Sequence, residues 1–273
     1  MHHLLFLMME PLSEVNLQLI MITYIPISIE MAISYYRKDG VYSFSGTFGN
    51  AISAFFGRLL AVRFAMIYGS YYVLWGVGSL FHFRHMGDTP LEILLCFVLV
   101  DLCYYIFHRM HHKFEFLWMF HYVHHSDDKL NLSTALRLSW AEQLYQFVFY
   151  IPIALIGFSP ILILECYTVD SLYQIFIHDQ YFTFPRWMDR IFISARLHKV
   201  HHDQQVRNQC SNIGGVFSIW DQMFGTYVPE IPADQFVAGI AGYHEQNPLR
   251  FQTDPIIAWF KRRFGKKVSE KVQ

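Results

Sequence analysis

The sequence predicts an all-α, polytopic membrane bundle with a polar cap on one side. The first observation is composition: of 273 residues, 53% are hydrophobic and 18% aromatic, whereas only 16% are charged. That balance is too apolar for an ordinary soluble domain. The second is a series of long apolar stretches, and the third is the sorting of Lys and Arg residues to one side of them. A net charge of −1 gives no indication of nucleic-acid binding.

Four apolar stretches predict about four to five membrane spans, since roughly 20 residues cross a bilayer as one helix. The fourth stretch, from about Leu144 to Ile177, is too long for one span. Gly157, Ser159 and Pro160 interrupt it, so it predicts a short helical hairpin. The other three stretches run from about Val15 to Ile33, from about Leu59 to Phe81 and from about Leu91 to Phe107.

The basic residues predict the orientation of these spans. With the N-terminus outside, nearly all Lys and Arg residues lie on one side of the membrane, and Arg84 lies alone in the short opposite loop from His82 to Pro90. By the positive-inside tendency, the basic side is cytoplasmic. We therefore expect a multi-pass integral protein, in the endoplasmic reticulum membrane of a eukaryote or the inner membrane of a bacterium, with its polar cap in the cytosol.

Nine histidines on the predicted cytoplasmic side form three boxes and one outlier. The boxes are HRMHH from residue 108, HYVHH from residue 121 and HKVHH from residue 198, and the outlier ends the hairpin. Spacings of i, i+3 and i+4 place imidazoles on one helix face, and imidazole binds zinc, copper, nickel and iron. One ion does not need nine such ligands, so we expect two ions. The predicted ligands are His108, His112, His121, His124, His125, His178, His198, His201 and His202.

The sequence does not support metal binding equally for every histidine. A single histidine is more often a satisfied core or surface residue, and clustering is what favours metal binding here. His178 stands alone, where a helix-capping role competes with metal binding. His111 is three residues after His108, and the alternatives of a ligand, a residue that supports a ligand, or a solvent-facing residue stay open. His82, His85 and His244 lie on the opposite side or far from any partner.

Asp101 is the predicted partner of the metal-binding rings. Metal-bound imidazoles usually donate their second N–H to a carboxylate or carbonyl. Asp101 precedes His108 by seven residues, hence on the same helix face about 10 Å deeper, and an acid inside an apolar span is costly and by default functional. Other acids near the boxes are candidates for the same role, or for caps and solvated surface: Asp127, Asp128, Asp179, Asp203 and Asp221.

The boxes and their surroundings resemble the fatty acid hydroxylase and sterol desaturase superfamily of integral-membrane di-iron oxygenases. The resemblance covers about half of the chain, in the family's order and spacing, and implies one membrane-embedded domain over residues 1–273 with its boxes within 101–226. The tail WDQMFGTY and the IHD placement favour the alkylglycerol monooxygenase-like branch, with sterol desaturases and sphingolipid or fatty acyl hydroxylases also open. The matching segments are DLCYYIFHRMHH from Asp101, WMFHYVHHSDDKLNLSTALR from Trp118, FIHD around His178, LHKVHH from Leu197 and NIGGVFSIWDQMFGTY from Asn212.

The resemblance also implies a chemistry. It implies two Fe²⁺ ions held by the histidines, O2 as co-substrate, and hydroxylation of a C–H bond in a fatty acyl, sterol or ether lipid, or desaturation at the same site. Electrons would come from a separate b-type cytochrome, or a ferredoxin with its reductase, because the chain has no Gly-rich strand-to-helix nucleotide motif. The residues Ser194 to Leu197 depart from the Pro and Ser that the family often has before the third box, which weakens assignment to a subfamily.

Two other functional classes compete with the oxygenase. A zinc-dependent membrane hydrolase would need about three ligands and an open position, far fewer than nine. A metal transporter would line a path through the membrane with polar residues, whereas these histidines lie at one face. The excess of ligands on one side therefore favours the oxygenase, and metal analysis of anaerobically purified protein separates the three.

Overall fold

The structure, a computed structural model, describes residues 14–57, 73, 76, 86 and 89–265. Within these residues the chain is helical, without strands, and only isolated bridges such as Phe192 with Phe217 join extended segments. The predicted all-α class is therefore confirmed for the described chain. The α-helices are α1 (Glu14–Arg37), α2 (Phe44–Gly57), α3 (Pro90–Lys113), α4 (Glu115–His125), α5 (Trp140–Tyr145), α6 (Ile151–Ile156), α7 (Pro160–Phe176), α8 (Ala195–His201), α9 (Val206–Gln209), α10 (Ile219–Phe224) and α11 (Pro248–Phe264). Four 3₁₀ helices span Leu132–Leu136, Gln146–Tyr150, Arg186–Arg190 and Ala233–Gln235.

Two described helices are long and apolar enough to cross a membrane, by length and composition: Leu17–Arg37 within α1, and α3. They correspond to the first and third predicted spans. The second predicted span, Leu59 to Phe81, lies outside the described residues except for residues 73 and 76. The fourth apolar stretch is made of shorter helices.

The break predicted inside the fourth stretch is present. Helix α6 ends at Gly157, whose φ of +116° lies in the left-handed region that glycine adopts at little cost. Helix α7 then begins at Ser159, whose side chain accepts a hydrogen bond from the Leu162 N–H, with Pro160 in the first helical turn. This is the ordinary chemistry of a helix start. The arm before the break is divided into α5, a 3₁₀ helix and α6.

The turn between α3 and α4 brings the first two histidine boxes together. Helix α3 begins with a reciprocal capping box between Thr89 and Glu92 and continues for 24 residues. Phe114 alone separates it from α4, in an extended conformation with φ −107° and ψ 119°. The chain therefore turns sharply there, and the rings of His108 and His121 lie with centroids 4.6 Å apart.

Buried apolar clusters hold the histidine-bearing helices from two directions. One cluster joins α3, α6 and α7, and close van der Waals packing of its side chains holds these helices together. A smaller cluster of Ile177, Ile193 and Leu197 lies against α8, directly before His198. The larger cluster contains Cys96, Val100, Tyr150, Ile153, Ala154, Phe158, Ile163 and Cys166.

Candidate metal centre

The structure divides the nine predicted histidines into two compact groups. Within each group the nearest ring nitrogens all lie within 4.8 Å of one another. Eight of the nine side chains are buried and His112 is half-buried. The five-histidine group is His108, His112, His121, His125 and His201, and the four-histidine group is His124, His178, His198 and His202.

Helix periodicity explains this division. In the second and third HxxHH boxes, the residues at i and i+4 enter one group, and the residue at i+3 enters the other. His121 and His125 join the five-histidine group while His124 joins the other; His198 and His202 join the four-histidine group while His201 joins the other. Around a helix of 3.6 residues per turn, positions i and i+4 are about 40° apart, whereas positions i+3 and i+4 are about 100° apart. Such a box therefore faces two neighbouring centres.

The two groups lie side by side. The rings of His125 and His202, which belong to different groups, stack with centroids 4.6 Å apart and an interplanar angle of 26°. The rings of His198 and His201 are 5.3 Å apart across the same boundary. The arrangement is therefore a pair of adjacent nitrogen-lined centres, and not two remote sites.

Backbone carbonyls fix which ring nitrogen faces each centre. The Nδ1 atoms lie 2.7 Å from the Ile213 oxygen for His108, 2.8 Å from the Ser211 oxygen for His201 and 2.7 Å from the Gln174 oxygen for His178. A carbonyl only accepts hydrogen bonds, so each of these rings donates from Nδ1. In a neutral ring, Nε2 then carries a lone pair and no hydrogen, which is the form that binds metals.

These lone pairs converge. The Nε2 atom of His178 is 3.1 Å from that of His198 and 3.3 Å from that of His124. Bonds of about 2.1 Å to one ion place adjacent ligand nitrogens about 3 Å apart. In the five-histidine group, the buried Nε2 atoms of His121, His125 and His201 have no hydrogen-bond partner in the described chain. Buried polar atoms of this kind require an explanation, and a divalent cation in each group would satisfy them.

Burial keeps the imidazole rings of α4 and α8 neutral, together with that of His202. It lowers the pKa of His124 to about 4 and that of His201 to about 3, against an ordinary value of 6.5. Burial, followed by repulsion from neighbouring imidazoles, also holds the pKa values of His125, His198 and His202 well below 6.5. At neutral pH these rings therefore need to lose no proton before they bind a metal.

The metal-free protein is consequently expected to lose stability as the pH falls from about 6.5 to about 4. In that window an unfolded chain protonates its histidines, whereas the folded His124, with a pKa of about 4, does not. The contribution is fully present above pH 6.5 and amounts to roughly 1 kcal/mol for each such histidine between pH 7.5 and 5.5. Denaturation midpoints of chelator-treated protein in detergent at these two pH values test this. The exposed His244→Ala variant should show the same loss, and a midpoint independent of pH would contradict the expectation.

Asp101 has a different partner from the one expected. Its buried carboxylate accepts hydrogen bonds from the Val216 N–H at 2.7 Å, the Phe217 N–H at 3.2 Å and the Trp220 indole at 2.7 Å. The expectation of a direct bond from a metal-binding imidazole is corrected, because the hydrogen-bond donors that reach this carboxylate belong to residues 216–220. The His108 ring instead donates its hydrogen bond to the backbone carbonyl of Ile213. Asp101 therefore positions the backbone segment around residues 213–217, and that segment orients His108.

Gly215 allows this segment to approach so closely. A Cβ atom at this position would lie 2.9 Å from the Asp101 Oδ1 atom and 2.8 Å from the Tyr104 ring. Asp221 holds the same segment from its other side, accepting hydrogen bonds from the N–H groups of Ile213 and Gly214 at 2.7 and 2.9 Å. Two carboxylates thus fix the position of the carbonyls that orient His108 and His201.

The other predicted acids accept hydrogen bonds from residues outside the two histidine groups. Asp127 accepts from the Asn50 amide, Asp128 from the Gln246 amide, Asp179 from the Tyr181 N–H and Asp203 from the Val237 N–H. These contacts fit the competing interpretation of caps and loop anchors.

His111 lies outside both groups, although it is buried beside them. Its Nδ1 is 2.7 Å from the Phe107 carbonyl oxygen, and its Nε2 is 2.6 Å from the Tyr145 hydroxyl. Both ring nitrogens therefore have partners other than a metal. His244 is exposed and faces Asp128 at 3.7 Å, and His82 and His85 lie outside the described residues.

Glu142 is a site residue that the sequence did not reveal. It is 7% exposed, and its Oε1 atom lies 3.2 Å from the Nδ1 atom of His121. A carboxylate at this position fixes the ring orientation and makes the imidazole a stronger ligand. The available signal was an acid at the start of an apolar stretch, but its reach back over 21 residues cannot be inferred from local spacing.

Glu142→Gln is expected to weaken metal binding by about 10- to 100-fold, since the amide removes the negative charge that supports His121. Titration of Co²⁺ or Fe²⁺ against a competing chelator measures the change. Glu115→Gln is the matched control, because Glu115 is exposed and pairs with Arg262, and it should bind metal as the unmodified protein does. Equal affinities for the two variants would refute the role of Glu142.

Comparisons with known proteins show which family this chain resembles in sequence. Residues 93–226 match the family model described as fatty acid hydroxylase, a range that includes all nine histidines. An alkylglycerol monooxygenase of Danio rerio is 33% identical over 216 residues, 78% of this chain and 47% of that protein. An ornithine lipid hydroxylase of Rhizobium tropici is 28% identical, covering 50% of this chain and 41% of that protein. A human cholesterol 25-hydroxylase is 29% identical, covering 50% of each.

The chain spans about half the length of the curated relatives that it matches. No solved structure matches it significantly. The part of the chain that matches the family model contains both histidine groups.

Proposed function

The chain belongs to the fatty acid hydroxylase family, and from that premise we propose that it is a membrane-bound, O2-dependent di-iron oxygenase that hydroxylates a C–H bond of a lipid. The observation that carries the proposal is the convergence of buried, neutral imidazoles in two adjacent groups. The five-histidine group would hold one Fe²⁺ ion and the four-histidine group the other. When bound, the two irons would supply the activation of O2 and the oxidation of the C–H bond.

The residues of this chain would prepare that chemistry. His108, His178 and His201 present Nε2 because backbone carbonyls hold their Nδ1 hydrogens. Glu142 would stabilise the charge that a metal adds to His121. Burial of the rings excludes bulk water, which would otherwise intercept a reactive oxidant.

The substrate class is proposed from the relatives. An alkylglycerol monooxygenase matches the largest share of this chain among the relatives described above, so an alkylglycerol ether lipid is the first candidate. Fatty acyl and sterol substrates are the next. Hydroxylation consumes O2, two electrons and two protons and releases one water, so the electrons would come from a separate b-type cytochrome, or from a ferredoxin with its reductase.

A multi-pass position in the membrane is part of the proposal. In the most apolar 18-residue windows of α1 and α3, 22% and 28% of the residues are buried, whereas a core helix of a soluble protein would be mostly buried. Helix α11 adds an exposed apolar stripe of Leu249, Ile257, Phe260 and Phe264, with Lys261 and Arg263 beside it. An interfacial helix has this pattern. His108 and His112 lie in the C-terminal part of α3 and the other seven histidines follow it. The predicted topology places this end of α3 on the cytoplasmic side.

The decisive experiment uses anaerobically purified, iron-loaded protein in lipid nanodiscs with a chemical or protein reductant. The proposal predicts two irons per chain, O2 uptake that depends on reductant, and a lipid product that gains one oxygen atom, labelled when ¹⁸O2 is supplied. A product lighter by two hydrogens would identify a desaturase that uses the same site. Tight zinc with hydrolytic turnover, or iron transport without O2 uptake, would refute the oxygenase.

A further inference from the structure

Helix α1 contains a buried acid that the site described above does not use. Glu30 is 3% exposed, although its neighbour Ile29 is 56% exposed on a helix apolar enough to cross a membrane. An ionisable side chain in such a helix is costly and by default functional. Helix α1 also lies outside residues 93–226, which match the family model.

Each carboxylate oxygen of Glu30 holds a backbone amide of a different segment. Oε1 accepts from the Gln180 N–H at 2.7 Å, and Oε2 accepts from the Leu132 N–H at 2.7 Å. The Tyr42 hydroxyl also donates to Oε2. Hydrogen bonds to a charged acceptor are about twice as strong as neutral ones, so this single side chain ties two segments to α1.

Both segments come after ligands of the four-histidine group in the chain. Gln180 is two residues after His178, and Leu132 begins the 3₁₀ helix that follows the box containing His124. The Nε2 atoms of His178 and His124 are 3.3 Å apart. Glu30 therefore fixes the spacing of the two chain segments whose histidines must meet.

A buried carboxylate has the corresponding role beside the five-histidine group. Asp101 of α3 accepts from the Val216 and Phe217 amides, beside the carbonyls that orient His108 and His201. Each group thus has a buried carboxylate from an apolar helix, Glu30 of α1 or Asp101 of α3, that accepts from backbone N–H groups of its ligand-bearing or ligand-orienting segments.

We propose that Glu30 is a positioning residue for the four-histidine group and acts on it selectively. The inference rests on the two-ion function proposed above. Glu30→Gln would replace one carboxylate oxygen by an NH2 group, which would face an amide donor and leave either Gln180 or Leu132 without its acceptor. Glu30→Asp keeps the charge but is one methylene too short to reach both amides, so it should give a smaller effect of the same kind.

The test is a Co²⁺ titration of the full-length protein in nanodiscs. The unmodified protein should bind two equivalents, and Glu30→Gln should weaken one of them by about 10- to 100-fold while leaving the other unchanged. His202→Ala and His201→Ala identify the equivalents, and the weakened one should be the equivalent that His202→Ala removes. Glu165→Gln, at an exposed acid of α7, is the matched control and should leave both unchanged. Equal weakening of both equivalents, or of neither, overturns the inference.

Hydrogen exchange provides a second measurement that does not depend on metal. Glu30→Gln should accelerate amide exchange in peptides containing Leu132 and Gln180 and leave the peptide of residues 211–217 unchanged. Uniform acceleration of both, or no change, overturns the selective role. Fewer than two cobalt equivalents in the unmodified protein would overturn the two-ion function, while the exchange measurement would still decide the role of Glu30.

Discussion

His124→Ala and His201→Ala are each expected to abolish lipid oxidation. The rate of product formation should fall by at least about 100-fold, because loss of a residue that only supports a ligand already costs about 10- to 100-fold. The two residues are the i+3 members of their boxes, and each is held in the group opposite to that of its box neighbours. His124→Ala leaves three imidazoles in its group, and His201→Ala leaves four. Both variants should therefore lose metal, and His124→Ala should lose more.

Iron per chain and product formation, measured on the same preparations, test this expectation. His244→Ala is the control, because the His244 side chain is 72% exposed and lies beside Asp128; it should keep both iron and activity. If His124→Ala kept full iron content and turnover, the assignment of the four-histidine group as a metal site would be wrong.

Arg137→Leu is expected to destabilise the protein by about 3–5 kcal/mol. Arg137 is the largest fully buried side chain of the described chain. Its guanidinium donates to the Ser126 hydroxyl at 3.0 Å and to the Glu245 carbonyl at 2.7 Å, and it lies 3.8 Å from the centroid of the Phe251 ring. Leucine would leave these acceptors unsatisfied and would remove the positive charge that offsets buried Asp127.

Equilibrium unfolding in detergent measures this loss. Arg250→Leu is the matched control, since Arg250 is 65% exposed and pairs with Glu245 at the surface, so its effect should stay within about 0.5 kcal/mol. A loss below about 1 kcal/mol for Arg137→Leu would show that the surrounding residues tolerate an apolar side chain. Because Ser126 directly follows His125, a loss of 3–5 kcal/mol should also lower metal retention.

Local sequence chemistry predicted much of the helical framework. The left-handed Gly157, the Ser159 cap and Pro160 encode the break between α6 and α7, and each acts within a few residues of itself. The spacing of the histidines likewise predicted which residues would come together, because i, i+3 and i+4 positions share a helix face.

The division of the second and third boxes between two groups was not predicted. A difference of one residue between i+3 and i+4 decides the group only once a second centre lies beside the first, and that depends on how α3, α4 and α8 pack. The prediction that a metal-binding imidazole donates to Asp101 was wrong for a related reason. The acceptor of the His108 ring is the backbone carbonyl of Ile213, 105 residues away, and a carbonyl has no residue-type signal in a sequence.

The exchange of histidines between boxes has a consequence for biosynthesis. Both groups take ligands from residues 198–202, and the carbonyls that orient two rings come from Ser211 and Ile213. A chain still emerging from the ribosome therefore has neither centre complete until this late segment has been made and has folded back onto α3 and α4. In the proposed two-iron enzyme, metal delivery is then a step of maturation that follows translation and membrane insertion, and a chain truncated before residue 198 would mature at neither centre.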